Sequence, residues 1–102
     1  MAYTTPMRFE WDAAKDRSNQ RKHGLSFSEA SLLFTSGEDY LEIFGSAHSD
    51  TEDRFIPIGQ LDRGIAVVIY TERDDDLIRI IGARFATKRE QELYRQQMDQ
   101  HR

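Results

Sequence analysis

The sequence contains no cysteine, only two prolines and no long hydrophobic run. Without cysteine, the chain has neither disulfide bonds nor zinc sites built from thiolates. No apolar segment approaches the ~20 residues that span a bilayer, and residues 1–6 lack the charged and apolar regions of a secretory signal. These absences predict a cytoplasmic protein that does not bind membranes.

The composition predicts one globular domain over residues 1–102, with frayed ends at 1–6 and 98–102. The chain is 38% hydrophobic and 31% charged, which is typical of a small folded protein with a charged exterior. Its net charge of −4 argues against a general nucleic-acid coat protein, which is usually basic. The charge is uneven, because residues 25–62 carry eight acidic side chains against Arg54 alone. This acidic segment is suited to a basic partner protein.

Three helices are predicted from their capping residues. Asp12 and Gly24 suit the two ends of a helix over Ala13–His23. Ser26 and Thr87 each precede a glutamate by three residues, which is the spacing of a capping box. These two residues are expected to open a second helix that ends near residues 36–37 and a C-terminal helix that runs to about residue 97.

The apolar runs outside these helices predict five strands. The run Ile65–Tyr70 is β-branched and nearly continuous, which favours the central strand. Pro57 cannot donate a hydrogen bond to a neighbouring strand, so it predicts an edge strand or a bulge. The predicted fold class is therefore α+β, with an antiparallel β-sheet, two helices after the first strand and a C-terminal helix. The predicted strands are Met7–Trp11, Asp39–Phe44, Arg54–Gly59, Ile65–Tyr70 and Leu77–Ala83, with a loop over 45–50.

Cationic side chains are concentrated at the end of the central strand and along the next one. The segment Tyr70–Arg73 is followed by Arg79 and Arg84, in an otherwise apolar run. A guanidinium stays protonated and presents a rigid fork of donors that suits a phosphate. Since strand side chains alternate, Arg79 and Arg84 share a face only if a bulge intervenes, and Gly82 is well placed for one. The pattern predicts an anionic ligand, for which an RNA phosphate is favoured.

Further short segments occur in a defined order: Phe9–Asp12, Lys22–Phe27, Asp53–Phe55, Tyr70–Arg73 and Arg79–Glu90. Together they resemble the BrnT family of ribonuclease toxins from bacterial type II toxin–antitoxin systems, which have a RelE-like fold. The resemblance implies metal-independent RNA cleavage that needs no cofactor and inhibits translation. It also implies neutralisation by a BrnA-type antitoxin, and repression of the shared operon by a complex in which the antitoxin supplies the DNA contacts.

RNA cleavage without a metal requires a base for the 2′-OH, cations for the phosphorane and an acid for the leaving oxygen. Histidine is a common proton carrier in enzymes, so His23 can serve as base or acid, while Glu72 is a second candidate base if it is partly desolvated. Arg79 and Arg84 are predicted to stabilise the developing charge. The residues predicted to bind RNA are Lys22, Arg54, Tyr70 and Arg73.

Each of these predictions has a structural alternative. His23 lies at the end of a helix, where a cation interacts favourably with the helix dipole. Glu72 and Arg73 can form an ion pair at a strand end, which stabilises little if it is exposed. Tyr70 can be half-buried packing at the end of its strand, and Arg54 can pair with the acids around it.

Two other classes of function stay open. A Mg²⁺ nuclease would use oxygen ligands from Asp50, Glu52, Asp53 or Asp74–Asp76, but acidic turns are usually only solvated, and no metal is predicted. A catalytically weak binding module would only hold its antitoxin and help to repress the operon. Resistance of any cleavage to EDTA tests the first alternative. Loss of toxicity with retained partner binding, after substitution of Arg79 or Arg84, tests the second.

Overall fold

The computed structural model describes residues 7–36, 40–44, 53–74 and 76–100. Its elements in chain order are β1 (Arg8–Glu10), α1 (Ala13–His23), α2 (Phe27–Ala30), α3 (Leu32–Thr35), β2 (Tyr40–Phe44), β3 (Phe55–Leu61), β4 (Gly64–Asp74), β5 (Leu77–Phe85) and α4 (Lys88–Gln100). In this part of the chain, no helix has the length and apolar character needed to cross a membrane. The predicted loop over 45–50 and the predicted fraying of 1–6 and 101–102 lie outside the described residues.

The five strands form one sheet in the order β1-β5-β4-β3-β2. Strands β2 to β5 are antiparallel neighbours, and β4 is central, as predicted. β1 instead pairs with β5 in parallel, with Glu10 opposite Arg79. A hairpin makes neighbouring strands antiparallel, but helices connect β1 to the far edge strand β2, so no hairpin sets its direction. The α+β fold is confirmed, with a sheet that is antiparallel except for β1.

Pro57 lies on an interior strand, so the predicted edge position is wrong. β3 has β2 on one side and β4 on the other. Its register with β4 is the same on both sides of Pro57, with Phe55 opposite Tyr70 and Ile58 opposite Val67, and the predicted bulge is also absent there. The proline is fully buried. Its local sequence does not reveal the pairing with β2, which depends on residues more than ten positions away.

Helices cover both faces of the sheet. One face packs against α2 and α3 through a buried cluster centred on Phe27 and Leu33. The other face packs against α4, whose Tyr94 contacts Ile58 and Val67. This second contact covers only part of its face, because α4 lies against the β2 side of the sheet. α4 does not cover the part of that face near β1 and β5. Side chains there are partly or fully exposed to solvent.

Helix α1 lies beside β5, where Asn19 holds it. The Asn19 side chain donates from Nδ2 to the carbonyl oxygen of Ala83 at 2.8 Å and accepts from the Ala83 N–H at 3.3 Å. It also donates to the carbonyl oxygen of Leu25 at 2.8 Å. β1 pairs only with residues 77–79 of β5, so Asn19 satisfies backbone groups of β5 beyond the reach of β1.

The predicted ends of α1 are confirmed, because they depend on local capping. Asp12 accepts from the Lys15 N–H at 3.0 Å, and Gly24 adopts a left-handed conformation with φ 69°. The predicted second helix is divided at Ser31 into α2 and α3, since only a single turn forms on each side. Ser26 caps α2 as expected, by accepting from the Glu29 N–H at 3.0 Å.

The C-terminal helix extends beyond its predicted end. The reciprocal capping bonds of Thr87 and Glu90 are present, at 2.9 and 3.2 Å. The helix continues to Gln100 instead of ending near residue 97. Met98 packs against the buried cluster beneath α4, and the fraying of residues 98–102 stays a prediction. The apolar contact of Met98 depends on the tertiary structure, and the polar sequence of this segment does not predict it.

Candidate active site

A bulge lies in β5 close to the position predicted for it. Ile69 on β4 is opposite Gly82, but the next residue, Tyr70, is opposite Ile80. Ile81 is therefore the additional residue, one position before the predicted Gly82. The shift changes which side chains share a face, because alternation is interrupted once.

The bulge places Arg79 and Arg84 on the same face of the sheet. Arg79 is opposite Thr71 and Arg84 is opposite Val67, and residues four positions apart on a strand point the same way. They remain separate, since four residues of strand span roughly 13 Å. The two arginines therefore do not form one compact site.

Arg84 is held at the start of α4 by a bidentate ion pair. Its Nη1 and Nη2 donate to the two carboxylate oxygens of Glu90 at 2.8 and 2.9 Å. Hydrogen bonds from Arg84 and from the Thr87 backbone lower the pKa of Glu90 to about 2. The same carboxylate therefore joins Arg84 to the capping box of α4. This arrangement accounts for Arg84 structurally, and its role in stabilising the charge that develops during cleavage stays a prediction.

Arg79 belongs to a different group, which we call the basic pocket. It is a cavity of about 250 Å³ on the open part of the α4 face. Its floor is formed by the aliphatic side chains of Ile69 and Ile81, and its rim by four cations. The rim consists of Lys15, Arg54, Arg73 and Arg79.

One cation of the rim carries an unsatisfied donor. The Nε atom of Arg54 is buried and has no hydrogen-bond partner among the described residues. A buried donor without a partner is costly, by about 1–3 kcal/mol, and such atoms in folded proteins call for an explanation such as a missing ligand. An anion seated between the guanidinium groups would accept this hydrogen bond and neutralise the clustered charge.

Glu10 provides the acidic group beside the basic pocket. Its carboxylate accepts from Arg79 Nη1 at 2.9 Å and lies 3.7 Å from Arg73 Nε. The contact joins β1 to β5 and β4, and it follows from the parallel pairing of Glu10 with Arg79. The Glu10 side chain is 37% exposed, so the ion pair is open to solvent and to ligand.

The basic pocket continues along α1. A neighbouring hollow is lined by Lys22 and His23 and shares Lys15 and Ile81 with the pocket. Lys15 and Lys22 are seven residues apart, which places them on one side of the helix about 11 Å from each other. Lys22 and His23 thus line a hollow that adjoins the basic pocket through Lys15 and Ile81, and their part in RNA binding and cleavage stays a prediction.

Glu72 and Tyr70 are not part of this surface. Glu72 is opposite Ile78, whose side chain belongs to the buried cluster on the other face. Tyr70 is 4% exposed, stacks on Phe55 with 5.2 Å between ring centroids, and donates its hydroxyl to Glu42 at 2.8 Å. Burial and the nearby carboxylate raise the pKa of the Tyr70 hydroxyl.

This geometry corrects two assignments. Tyr70 has the packing role that was its structural alternative, so it is removed from the RNA-binding set. Glu72 is separated from Arg79 by the sheet itself. Conversely, sequence reasoning missed Lys15 and Glu10. The seven-residue spacing from Lys15 to Lys22 is a signal that would have found the lysine, whereas Glu10 could be found only from the pairing of β1.

The acidic residues considered as metal ligands are dispersed where they are described. Asp76 is paired with Arg8 at 2.7 Å, which lowers the pKa of its carboxyl, and Asp53 and Asp74 are exposed. Asp50, Glu52 and Asp75 lie outside the described residues. In the part of the chain with described positions, no three His, Cys, Asp or Glu side chains are grouped to hold a metal ion.

Comparison with known proteins gives a matching family model and a similar crystal structure. Residues 11–90 match the model of a family described as ribonuclease toxin, BrnT, of type II toxin–antitoxin system. The crystal structure of the Brucella abortus ribonuclease toxin BrnT is similar with a TM-score of 0.62 and 24% sequence identity, over 80% of this chain and 99% of that one. At this identity, the structural likeness bears on the fold alone. Curated proteins gave no match.

Proposed function

The chain belongs to the BrnT family of ribonuclease toxins of type II toxin–antitoxin systems, and we propose that its basic pocket is where it binds and cleaves RNA. The family assignment gives the protein an RNA substrate and an antitoxin partner. The observation that carries the proposal is the buried Arg54 Nε, which has no partner among the residues with described positions and lies in a pocket with three further cations. An RNA phosphate supplies the acceptor that this donor lacks.

Phosphate binding in the pocket relies on guanidinium groups. Arg54 and Arg79 present rigid forks of donors that match phosphate oxygens, while Lys15 adds a more flexible charge. The crowded transition state of phosphoryl transfer carries more negative charge on its oxygens than the substrate does, and preorganised cations therefore stabilise it preferentially. The aliphatic floor keeps these groups partly desolvated, which strengthens their interaction with an anion.

His23 is proposed to move a proton at the edge of the pocket. It is exposed at the end of α1 in the hollow that adjoins the pocket. Imidazole can give or take a proton, so His23 is proposed to act as acid or base on RNA that extends from the pocket into this hollow. Cleavage of this type requires no metal and no cofactor, and we propose that it inhibits translation by destroying RNA.

We also propose that the antitoxin partner is of the BrnA type. A BrnA-type antitoxin is expected to place basic groups on acidic surface of this chain, where Asp53 and Asp62 are exposed. Opposite charges across an interface speed association and fix its register. The antitoxin is further proposed to supply the DNA contacts by which the complex represses its operon.

The test uses antitoxin-free toxin and a fluorescent RNA, with EDTA or Mg²⁺ in parallel reactions. We expect cleavage in EDTA, and at least a 100-fold slower rate for Arg79→Ala, which removes a cation from the reacting phosphate. Arg95→Ala is the matched control, because Arg95 is an exposed arginine on α4. Cleavage only with Mg²⁺ would favour the metal nuclease. A folded protein that binds antitoxin but cleaves no RNA would favour the binding module.

A further inference from the structure

The geometry points to Glu10 as the general base of RNA cleavage, a role that rests on the proposed function of the basic pocket. Metal-free cleavage needs one group to take a proton and another to give one. His23 supplies only one of these functions at a time. Glu72, the carboxylate that the sequence suggested, lies on the other face of the sheet, opposite Ile78.

Glu10 has the position that Glu72 lacks. It contacts Arg79 at 2.9 Å and Arg73 at 3.7 Å, and both arginines line the pocket. A phosphate bound by these arginines therefore lies beside the Glu10 carboxylate, and so does the ribose attached to it. Since Glu10 is 37% exposed, the carboxylate can exchange one arginine contact for a 2′-hydroxyl without leaving a buried charge.

The proposed step conserves atoms and protons. One Glu10 carboxylate oxygen accepts the proton of the 2′-OH, and the 2′-oxygen forms a bond to phosphorus. The bond between phosphorus and the 5′-oxygen breaks, and that oxygen takes a proton from solvent. The products are a 2′,3′-cyclic phosphate and a 5′-hydroxyl. Arg79 and Arg73 bridge the carboxylate and the phosphate, so they hold the base in line with the group it activates.

The charges around Glu10 define what a pH profile would report. Arg79 on β5 and Arg73 on β4 face it directly, and Arg8 on its own strand interacts with it over a longer distance. Asp12 and Lys15, at the start of α1, interact electrostatically with each other, and Asp12 also with Arg79. Arginine and lysine stay charged at moderately acidic pH. Glu10 and Asp12 supply carboxylates beside these cations, and the Glu10→Gln variant separates the effect of one from that of the other.

The decisive variant is Glu10→Gln, which keeps an oxygen acceptor for Arg79 but removes the base. Single-turnover cleavage is measured from pH 4 to pH 8, and affinity is measured with the same RNA carrying 2′-deoxyribose at the cleaved position. We expect cleavage at least 100-fold slower, affinity within threefold of the wild type, and loss of the rise in rate with pH on the acidic side. Glu92→Gln, an exposed glutamate of α4, is the matched control.

Two outcomes would overturn the inference while leaving the proposed function intact. One is cleavage by Glu10→Gln within fivefold of the wild type. The other is a loss of affinity as large as the loss of rate, which would mean that Glu10 only positions the arginines. If Glu10→Gln does not fold, Glu10→Asp replaces it and is expected to keep the acidic limb at a reduced rate. A cleavage rate of Glu10→Asp that does not rise with pH on the acidic side would also refute the assignment. A wild type that cleaves no RNA would refute both the assignment and the proposed function.

Discussion

Replacing Arg54 with methionine should make the free toxin more stable and its RNA binding weaker. The variant keeps an aliphatic side chain of similar length, but it removes the buried Nε that has no partner. Leaving such a donor unpaired costs about 1–3 kcal/mol, and the substitution also relieves repulsion among the cations of the pocket. We expect the free energy of unfolding to rise by about 1 kcal/mol, or roughly 5 °C in Tm for a domain of this size.

The loss of affinity follows from the same donor. A hydrogen bond to a charged group contributes about 1.5–3 kcal/mol, so RNA should bind about 10- to 150-fold more weakly. Unfolding is measured by urea denaturation in a buffer without phosphate, and affinity by fluorescence anisotropy with a non-cleavable RNA. Added phosphate should stabilise the wild type more than the variant, because only the wild type has the complete site.

The result that would refute this reasoning is a loss of stability together with an unchanged affinity for RNA. If Arg54→Met lowers the free energy of unfolding by more than 1 kcal/mol and binds RNA within twofold of the wild type, Arg54 is a structural residue that pairs with its surroundings. Arg95→Met is the control for removing one positive charge from the protein, since Arg95 is exposed on α4. It should change stability little, and RNA affinity only through the net charge.

Two further predictions concern the scaffold around the site. Folding lowers the pKa of Glu90 from 4.5 to about 2, so the contribution of its carboxylate to stability is complete above pH 4.5 and is lost as the pH falls towards 2. The difference in Tm between the wild type and Glu90→Gln should therefore shrink over that range. A constant difference would contradict the ion pair. A Cβ at Gly59 would lie 2.6 Å from Leu33 Cδ1 and 2.9 Å from Tyr40 Cβ, so Gly59→Ala should lower the free energy of unfolding by about 1–3 kcal/mol. Gly82→Ala, whose nearest contact would be 3.2 Å, should cost less, and equal losses would argue against overpacking at Gly59.

Local chemistry made much of this protein predictable from its sequence. The ends of α1 were found from Asp12 and Gly24, and the start of α4 from Thr87 and Glu90, because each cap is formed by residues within four positions of each other. The irregularity near Gly82 was predicted from side-chain alternation, on the premise that Arg79 and Arg84 share a face, and from the glycine that permits a bulge. Such features are encoded where they occur, so the surrounding fold is not needed to read them.

The composition of the site was decided by tertiary structure. Glu10 and Arg79 are 69 positions apart in the sequence, and only the parallel pairing of β1 with β5 brings them together. Register also decided that Glu72 points away from the pocket, since a shift of one position moves a side chain to the other face. The sequence by itself determined the fold class, the capped ends of its helices, the family and the cationic residues available for RNA. The long-range pairing of strands determined which of those residues share a surface, and which carboxylate stands beside them.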